Sequence, residues 1–188
     1  MLAYVFWHWP NARIDSDTYE SGLRQFQSVL SDHKPDGFQR SVVFRIHGAP
    51  WLPPNVVGYE DWYIVDGSGA LDVLNEAAIT APRKDTHDRA AQRAAGGTAG
   101  LYRLRRGQLD VDRSRFAAWL SKPVGTPYDN FYSSLSQWTD QPGSGLWGRQ
   151  MVLGPTPEFC LLSPDKIILP DALNVLMLPL ERVWPLAE

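Results

Sequence analysis

Ala49-Pro50-Trp51-Leu52-Pro53-Pro54, running into Gly58-Tyr59-Glu60-Asp61-Trp62-Tyr63-Ile64-Val65, is the stretch on which the fold turns. A proline-stiffened loop carrying a tryptophan feeds a segment that alternates aromatic and acidic side chains, the period-two signature of a strand. Just upstream, Phe44-Arg45-Ile46-His47 sets a guanidinium and an imidazole two residues apart, hence on one strand face. Phe38 to His47 and Tyr59 to Val65 therefore read as two strands joined by a long aromatic hairpin loop.

Working outward, residues 2–9 (Leu-Ala-Tyr-Val-Phe-Trp-His-Trp) suit a strand, stopped by Pro10 and Asn11. Asp17 with Glu20 three positions later has the pattern of a capping box. Tyr19, Leu23, Phe26 and Leu30 follow at helical spacing as one apolar face, with Glu20, Arg24, Gln25 and Ser28 expected on the surface. The turn cluster Ser31 to Gly37 ends that helix. Beyond the hairpin, Ala70 to Ile79 and Asp85 to Ala95 read as helices broken by Pro82. Gly96-Gly97 is expected to stop the second, and Ala99 to Arg105 is a fourth strand. The order is β-α-β-β-α-β, the ferredoxin-like unit.

After a polar linker at 108–115 the pattern starts again in shorter form. Phe116 to Leu120 ends at Lys122-Pro123, and Thr126-Pro127-Tyr128-Asp129 echoes Asp17-Thr18-Tyr19-Glu20. Glu158-Phe159-Cys160-Leu161-Leu162, Ala172-Leu173-Asn174-Val175-Leu176 and Leu180-Glu181-Arg182-Val183 echo segments beginning at Asp61, Ala70 and Leu101, in the same order. The chain thus reads as an α+β internal duplication. Residues 1–107 carry the aromatic hairpin, and 116–188 form a trimmed, degenerate second ferredoxin-like repeat. The stretch from Phe38 to Asp61 is about twice as long as its counterpart from Leu146 to Glu158, so the hairpin belongs to the first copy alone.

Two such units in one chain resemble the dimeric α+β barrel superfamily, in which two ferredoxin-like sheets meet across a homodimer and enclose a cavity. Here the resemblance implies the same barrel built within one polypeptide, a pseudo-dimer. The superfamily includes cofactor-free monooxygenases, lactone isomerases, EthD-like proteins, stress-responsive barrels and haem enzymes resembling chlorite dismutase, so fold alone selects no chemistry. In the haem branch the resemblance places the axial histidine in the second half. All four histidines here, His8, His33, His47 and His87, lie in the first, so haem is not expected, and the reading includes no other cofactor.

The candidate chemistry gathers near the hairpin. With the apolar face Val42, Phe44 and Ile46 expected against helices, Arg45 and His47 are left facing the barrel interior, where they could bind an enolate or carboxylate and move a proton. The alternative is a sheet face at solvent, or an ion pair of Arg45 with Glu60 or Asp61. His8, between Trp7 and Trp9, is either a further acid–base group or a hydrogen-bonded core histidine. Trp51 either closes over an apolar ligand or plugs the barrel end. Tyr59, Asp61 and Tyr63 form the more polar face of their strand and, with Trp62, complete the expected binding set. No short-range ligand spacing supports a metal, and no phosphate loop, dinucleotide fingerprint or nucleophile elbow is present.

Net charge is −3, and no run of Lys or Arg exceeds two, which argues against nucleic acid and anionic membranes as partners. Cys160, the single cysteine, sits in an apolar run and reads as a small buried hydrophobe. One reduced thiol and a start without a signal-peptide pattern lead to the expectation of a cytoplasmic protein, monomeric or homodimeric. The expectation is a barrel that binds a small apolar or aromatic ligand, as a cofactor-independent oxygenase or isomerase. The alternatives are a non-catalytic or stress-related binding barrel, and a structural module whose barrel is filled by its own side chains.

Overall fold

Strict alternation along β1 (Leu2–Pro10) assigns its side chains to two different cores. Ala3, Val5 and Trp7 join one cluster, while Tyr4 and Phe6 face another across the sheet. The computed structural model describes residues 1–108 and 110–186. Of the linker placed at 108–115, Leu109 falls outside the described residues, as do residues 187 and 188.

The elements after β1 are α1 (Ser16–Asp32), β2 (Phe38–Ile46), β3 (Gly58–Val65), α2 (Gly69–Ala78), α3 (Lys84–Arg93) and β4 (Ala94–Gly107). The second half comprises β5 (Phe116–Leu120), α4 (Tyr128–Ser134), α5 (Ser136–Thr139), β6 (Gly145–Arg149), β7 (Phe159–Ser163), β8 (Leu176–Pro179) and β9 (Glu181–Trp184). Among the described residues, all nine strands form one antiparallel sheet in the order β8-β5-β7-β6-β4-β1-β3-β2-β9. The order β4-β1-β3-β2 in the first half recurs as β8-β5-β7-β6 in the second. The two outermost strands, β8 and β9, are consecutive in the chain. Between them Leu180 donates its N–H to the Arg115 carbonyl at 2.7 Å, so one extended segment brings the sheet's edges together into a nearly closed barrel.

The barrel is filled. Trp7, Trp62, Trp119, Trp147 and Tyr102 are fully buried inside it, with Val42, Phe44, Ile46 and Cys160. Each tryptophan removes roughly 200 Å² from water, on the order of 5 kcal/mol of burial. This reverses the expected orientation of β2. Its apolar face lines the barrel interior, and Arg45 points outward to the α1 side. The water-free interior of a closed sheet demands the most apolar face available, whereas the outer face meets a helix that carries polar partners of its own.

Helix α1 presents Tyr19, Leu23, Phe26 and Leu30 to the outer face of the sheet, as their spacing predicts. Its cap is Asp15 rather than Asp17: Oδ1 accepts from the Thr18 N–H at 2.8 Å. Glu20, freed from capping, is buried against the sheet rather than on the surface. A second difference lies at Gly96 and Gly97, which fall within β4 rather than ending α3. A Cβ on Gly96 would lie 2.5 Å from Trp9 Cζ2, and one on Gly97 would lie 2.4 Å from Phe6 Cζ. Their bare backbone lets the rings of β1 lie across the neighbouring strand. No helix among the described residues is long and apolar enough to cross a membrane.

Candidate functional site

A cavity of about 470 Å³ lies on the helix side of the sheet, between β1 and β3 beneath and α1, α2 and α3 above. Tyr4, Phe6, Leu23, Phe26 and Leu74 give it apolar walls, and the alanines Ala78, Ala90 and Ala94 leave the space open. No lysine or arginine lines it. Its polar lining comes from both sides: Asp72 and Asn75 of α2 and His87 of α3 face it from above, and on the sheet floor His8 of β1 and Asp61 of β3 come together.

His8 Nε2 lies 2.9 Å from Asp61 Oδ1, and its Nδ1 lies 2.7 Å from the Tyr19 hydroxyl. Asp61 Oδ2 accepts from the Tyr63 hydroxyl at 2.8 Å and from Gln27 Nε2 at 3.2 Å. Gln27 Nε2 also reaches the Tyr63 oxygen at 3.0 Å, and Gln27 Oε1 accepts from Ser41 Oγ at 2.6 Å. All of these side chains are buried. The carboxylate accepts only, so the imidazole hydrogen sits on Nε2 and Nδ1 is left to accept from Tyr19. The ring itself is held flat, stacked on Phe6 at 5.1 Å and on Tyr59 at 5.7 Å.

Burial, and secondarily the negative charge of Asp61, pushes the Tyr19 and Tyr63 hydroxyls well above the usual phenol range, and Tyr4 is raised for the same two reasons. These phenols stay protonated and act as donors. The arrangement is a hydrogen-bonded Tyr19–His8–Asp61 chain at the bottom of the chamber. His87 of α3 forms part of the opposite wall, edge-on to Phe26 at 5.5 Å.

Of the residues singled out from sequence, His8, Asp61 and Tyr63 meet at this floor. Tyr59 shares their sheet face but turns its hydroxyl to Glu20 Oε1 at 3.1 Å. Arg45 lies on that outer side too, in an ion network rather than in the barrel: its Nε donates to Glu20 Oε1 at 2.8 Å, its Nη2 contacts the same oxygen, and its Nη1 lies 3.3 Å from Glu181 Oε2. His47 is 53% exposed, 4.0 Å from Glu181, beside an open hollow of about 680 Å³ in the proline loop. The expected pairing of Arg45 with Glu60 or Asp61 is replaced by Glu20, because α1 delivers that carboxylate to the outer face. Trp51 packs edge-on against Trp7 and Trp119 at 5.7 and 5.1 Å, inside the barrel mouth, and Trp62 lies within the barrel. Neither lines the helix-side cavity.

Tyr19, Gln27 and Ser41 belong to the network although sequence reasoning gave them no chemical role. Gln27 carried a usable signal. It stands four residues after Leu23 and three before Leu30, so it falls on the apolar stripe of α1, where a polar side chain requires partners.

A scan against protein-family models finds no match, and a comparison with curated proteins finds none. Among solved structures, the chain is similar to a candidate monooxygenase from Lactobacillus acidophilus NCFM, with 10% identity and a TM-score of 0.57 over 97% of this chain and 94% of that one. It is also similar to an anthrone oxidase-like protein, at 8% identity and a TM-score of 0.50, covering 96% of this chain and 90% of the other. At such identities the likeness is one of fold, and the fold that this nearly closed antiparallel sheet with its outer helices shares with them is the dimeric α+β barrel.

Proposed function

We propose that the chain is a small-molecule enzyme without an organic cofactor, whose substrate sits in the helix-side cavity and loses a proton to the Tyr19–His8–Asp61 relay. The observation that carries this reading is the buried His8–Asp61 contact of 2.9 Å at the floor of a 470 Å³ chamber. In the proton-transfer step, the substrate's acidic C–H or O–H passes its proton to the Tyr19 oxygen while Tyr19 hands its own to His8 Nδ1. The resulting imidazolium is stabilised by Asp61. The substrate is left as an enolate or phenolate, which can then react with dioxygen or take a proton back elsewhere. An oxygenase or an isomerase would both begin this way.

The chamber's lining favours a neutral, largely apolar molecule over a carboxylate, since no cationic side chain faces it. The names of the similar structures, a candidate monooxygenase and an anthrone oxidase-like protein, favour the oxygenase branch. A non-catalytic binding barrel is the second reading, and one observation favours it: both His8 nitrogens are already engaged by protein partners. The recurring strand order β4-β1-β3-β2 and β8-β5-β7-β6 supports reading the two halves as an internal duplication, with the chemistry kept in the first.

Dioxygen uptake with anthrone as substrate tests the catalytic reading. The expected result is steady turnover by the wild type and a loss of about 10²–10⁴-fold in His8→Asn, with Tyr19→Phe also slowed. Equal uptake by wild type and His8→Asn would contradict it. Saturable binding of anthrone without any turnover would favour the binding barrel.

A further inference from the structure

The barrel interior holds a group of side chains that the helix-side cavity does not use. Glu60 is fully buried on the inward face of β3, paired in register with Trp7 and two residues before Trp62. Each of its oxygens accepts one indole hydrogen bond, Oε2 from Trp7 Nε1 at 2.6 Å and Oε1 from Trp62 Nε1 at 2.5 Å. The need to satisfy indole N–H groups does not explain a carboxyl here. Among the described residues, the buried Nε1 atoms of Trp51, Trp119 and Trp147 have no partner, so this barrel tolerates unpaired indoles. An ionisable group in such a core is costly where a neutral side chain would pack.

The rings around it are connected. Trp7 lies 5.7 Å from both Trp51 and Trp119 and 6.1 Å from Tyr102. Trp62 lies 6.2 Å from Tyr102 and 5.3 Å from Trp147. Five of these six rings are fully buried, and Trp51 is the partly exposed one, at the barrel mouth. An indole that loses an electron becomes far more acidic at Nε1, and a hydrogen-bonded carboxylate whose own proton affinity burial has raised is the natural acceptor of that proton. Glu60 supplies one to two rings of the network.

We propose that the barrel core is an oxidation relay, with Trp51 as its entry and the Trp7–Glu60–Trp62 group as the place where an oxidising equivalent comes to rest. A one-electron oxidant in solution, of the peroxyl-radical class, takes one electron at Trp51 and becomes a hydroperoxide on gaining a proton from water. The electron vacancy passes to Trp7 or Trp62, whose Nε1 proton moves to Glu60. The protein then holds a neutral indolyl radical and a carboxylic acid. A reductant meeting Trp51 returns the electron, and Glu60 returns the proton. Tyr102 from β4 and Cys160 from β7 also face this carboxyl. Burial pushes both up, Glu60 adds to the effect, and they remain protonated. Burial likewise raises Glu60, to about 7, with its two indole donors pulling the other way, so above neutrality it is ionised and able to accept. The relay is independent of what the helix-side cavity binds.

Flash oxidation of the intact protein at about pH 8, with a ruthenium(II) polypyridyl sensitiser and a cobalt(III) electron acceptor, tests this. Transient absorption separates the neutral indolyl radical from the protonated radical cation, and transient infrared detects a new carboxylic acid. The expected result is a neutral radical that forms together with a carboxylic-acid band. In Glu60→Gln the band is lost and the radical cation persists. In Trp51→Phe the yield falls several-fold. A wild-type radical with no accompanying carboxylic-acid band overturns the proposal without recourse to any variant. An unchanged yield in Trp51→Phe overturns the assigned entry.

Discussion

His8 and Glu60 lie on opposite faces of the same sheet, and their surroundings give them opposite tasks. His8 is wired to a carboxylate and a phenol beside open space, whereas Glu60 is fully buried and held between two indole donors. Glu60 therefore has a pH signature. In the unfolded chain it ionises near the ordinary 4.5, and in the barrel burial moves this to about 7. Between those values the folded chain keeps a proton that the unfolded chain has released, so stability falls as pH rises through that window and levels off above it. The contribution is on the order of 3 kcal/mol. Urea midpoints measured across the window should decline in the wild type relative to Glu60→Gln, which lacks the titration. Parallel curves for the two proteins would show that Glu60 is not buried as described. Neither this role nor the facing of its strand was legible from the sequence, where Glu60 reads only as a possible ion-pair partner of Arg45, because its indole partners Trp7 and Trp62 are set by the strand register and the turn of the sheet.

At the scale of elements, the outer helices succeed in making a cavity because the residues beneath and above it are small where they need to be. Gly97 of β4 leaves room for the Phe6 ring, which forms a wall of the chamber. In Gly97→Ala the added methyl would meet Phe6 Cζ at 2.4 Å, so the ring must turn toward the cavity. The expected cost is about 1–3 kcal/mol, read as a lower thermal midpoint, with weaker binding of aromatic ligands. A Gly97→Ala protein of unchanged stability and unchanged binding would mean that the ring has another way out. Helix α1 was the most legible element: the spacing of Tyr19, Leu23, Phe26 and Leu30 predicts the face that is buried. Its start was misplaced because Asp15 and Asp17 offer equivalent capping oxygens, and only the contact from Asp15 to Thr18 decides between them.

At the scale of the molecule, the β-α-β-β-α-β reading led to an α+β barrel, and hydrophobic alternation located the strands well. Alternation alone does not say which face of a strand turns inward, since a two-sided sheet buries both. For β2 the deciding information is tertiary. Glu20 and Gln27 of α1 supply partners for Arg45 and, through Ser41, for the outer face, so the wholly apolar face goes inside. The candidate site was legible in part for the same reason. His8, Asp61 and Tyr63 share a face whichever way the sheet is turned, while the Arg45–His47 pair depended on the turn itself. The barrel's closure by the single segment β8–β9 also fixes which space is open, because it seals the interior around its tryptophans.

The ligand chamber lies outside the barrel, under the helices. Equilibrium binding of 2-naphthol, a neutral fluorescent phenol, to three proteins decides this. Ala90→Phe fills the helix-side cavity from α3, and Trp51→Phe alters the barrel mouth. Loss of binding in Ala90→Phe, with wild-type affinity kept in Trp51→Phe, is the predicted result. Wild-type affinity in Ala90→Phe together with its loss in Trp51→Phe would place the ligand in the barrel and contradict the account.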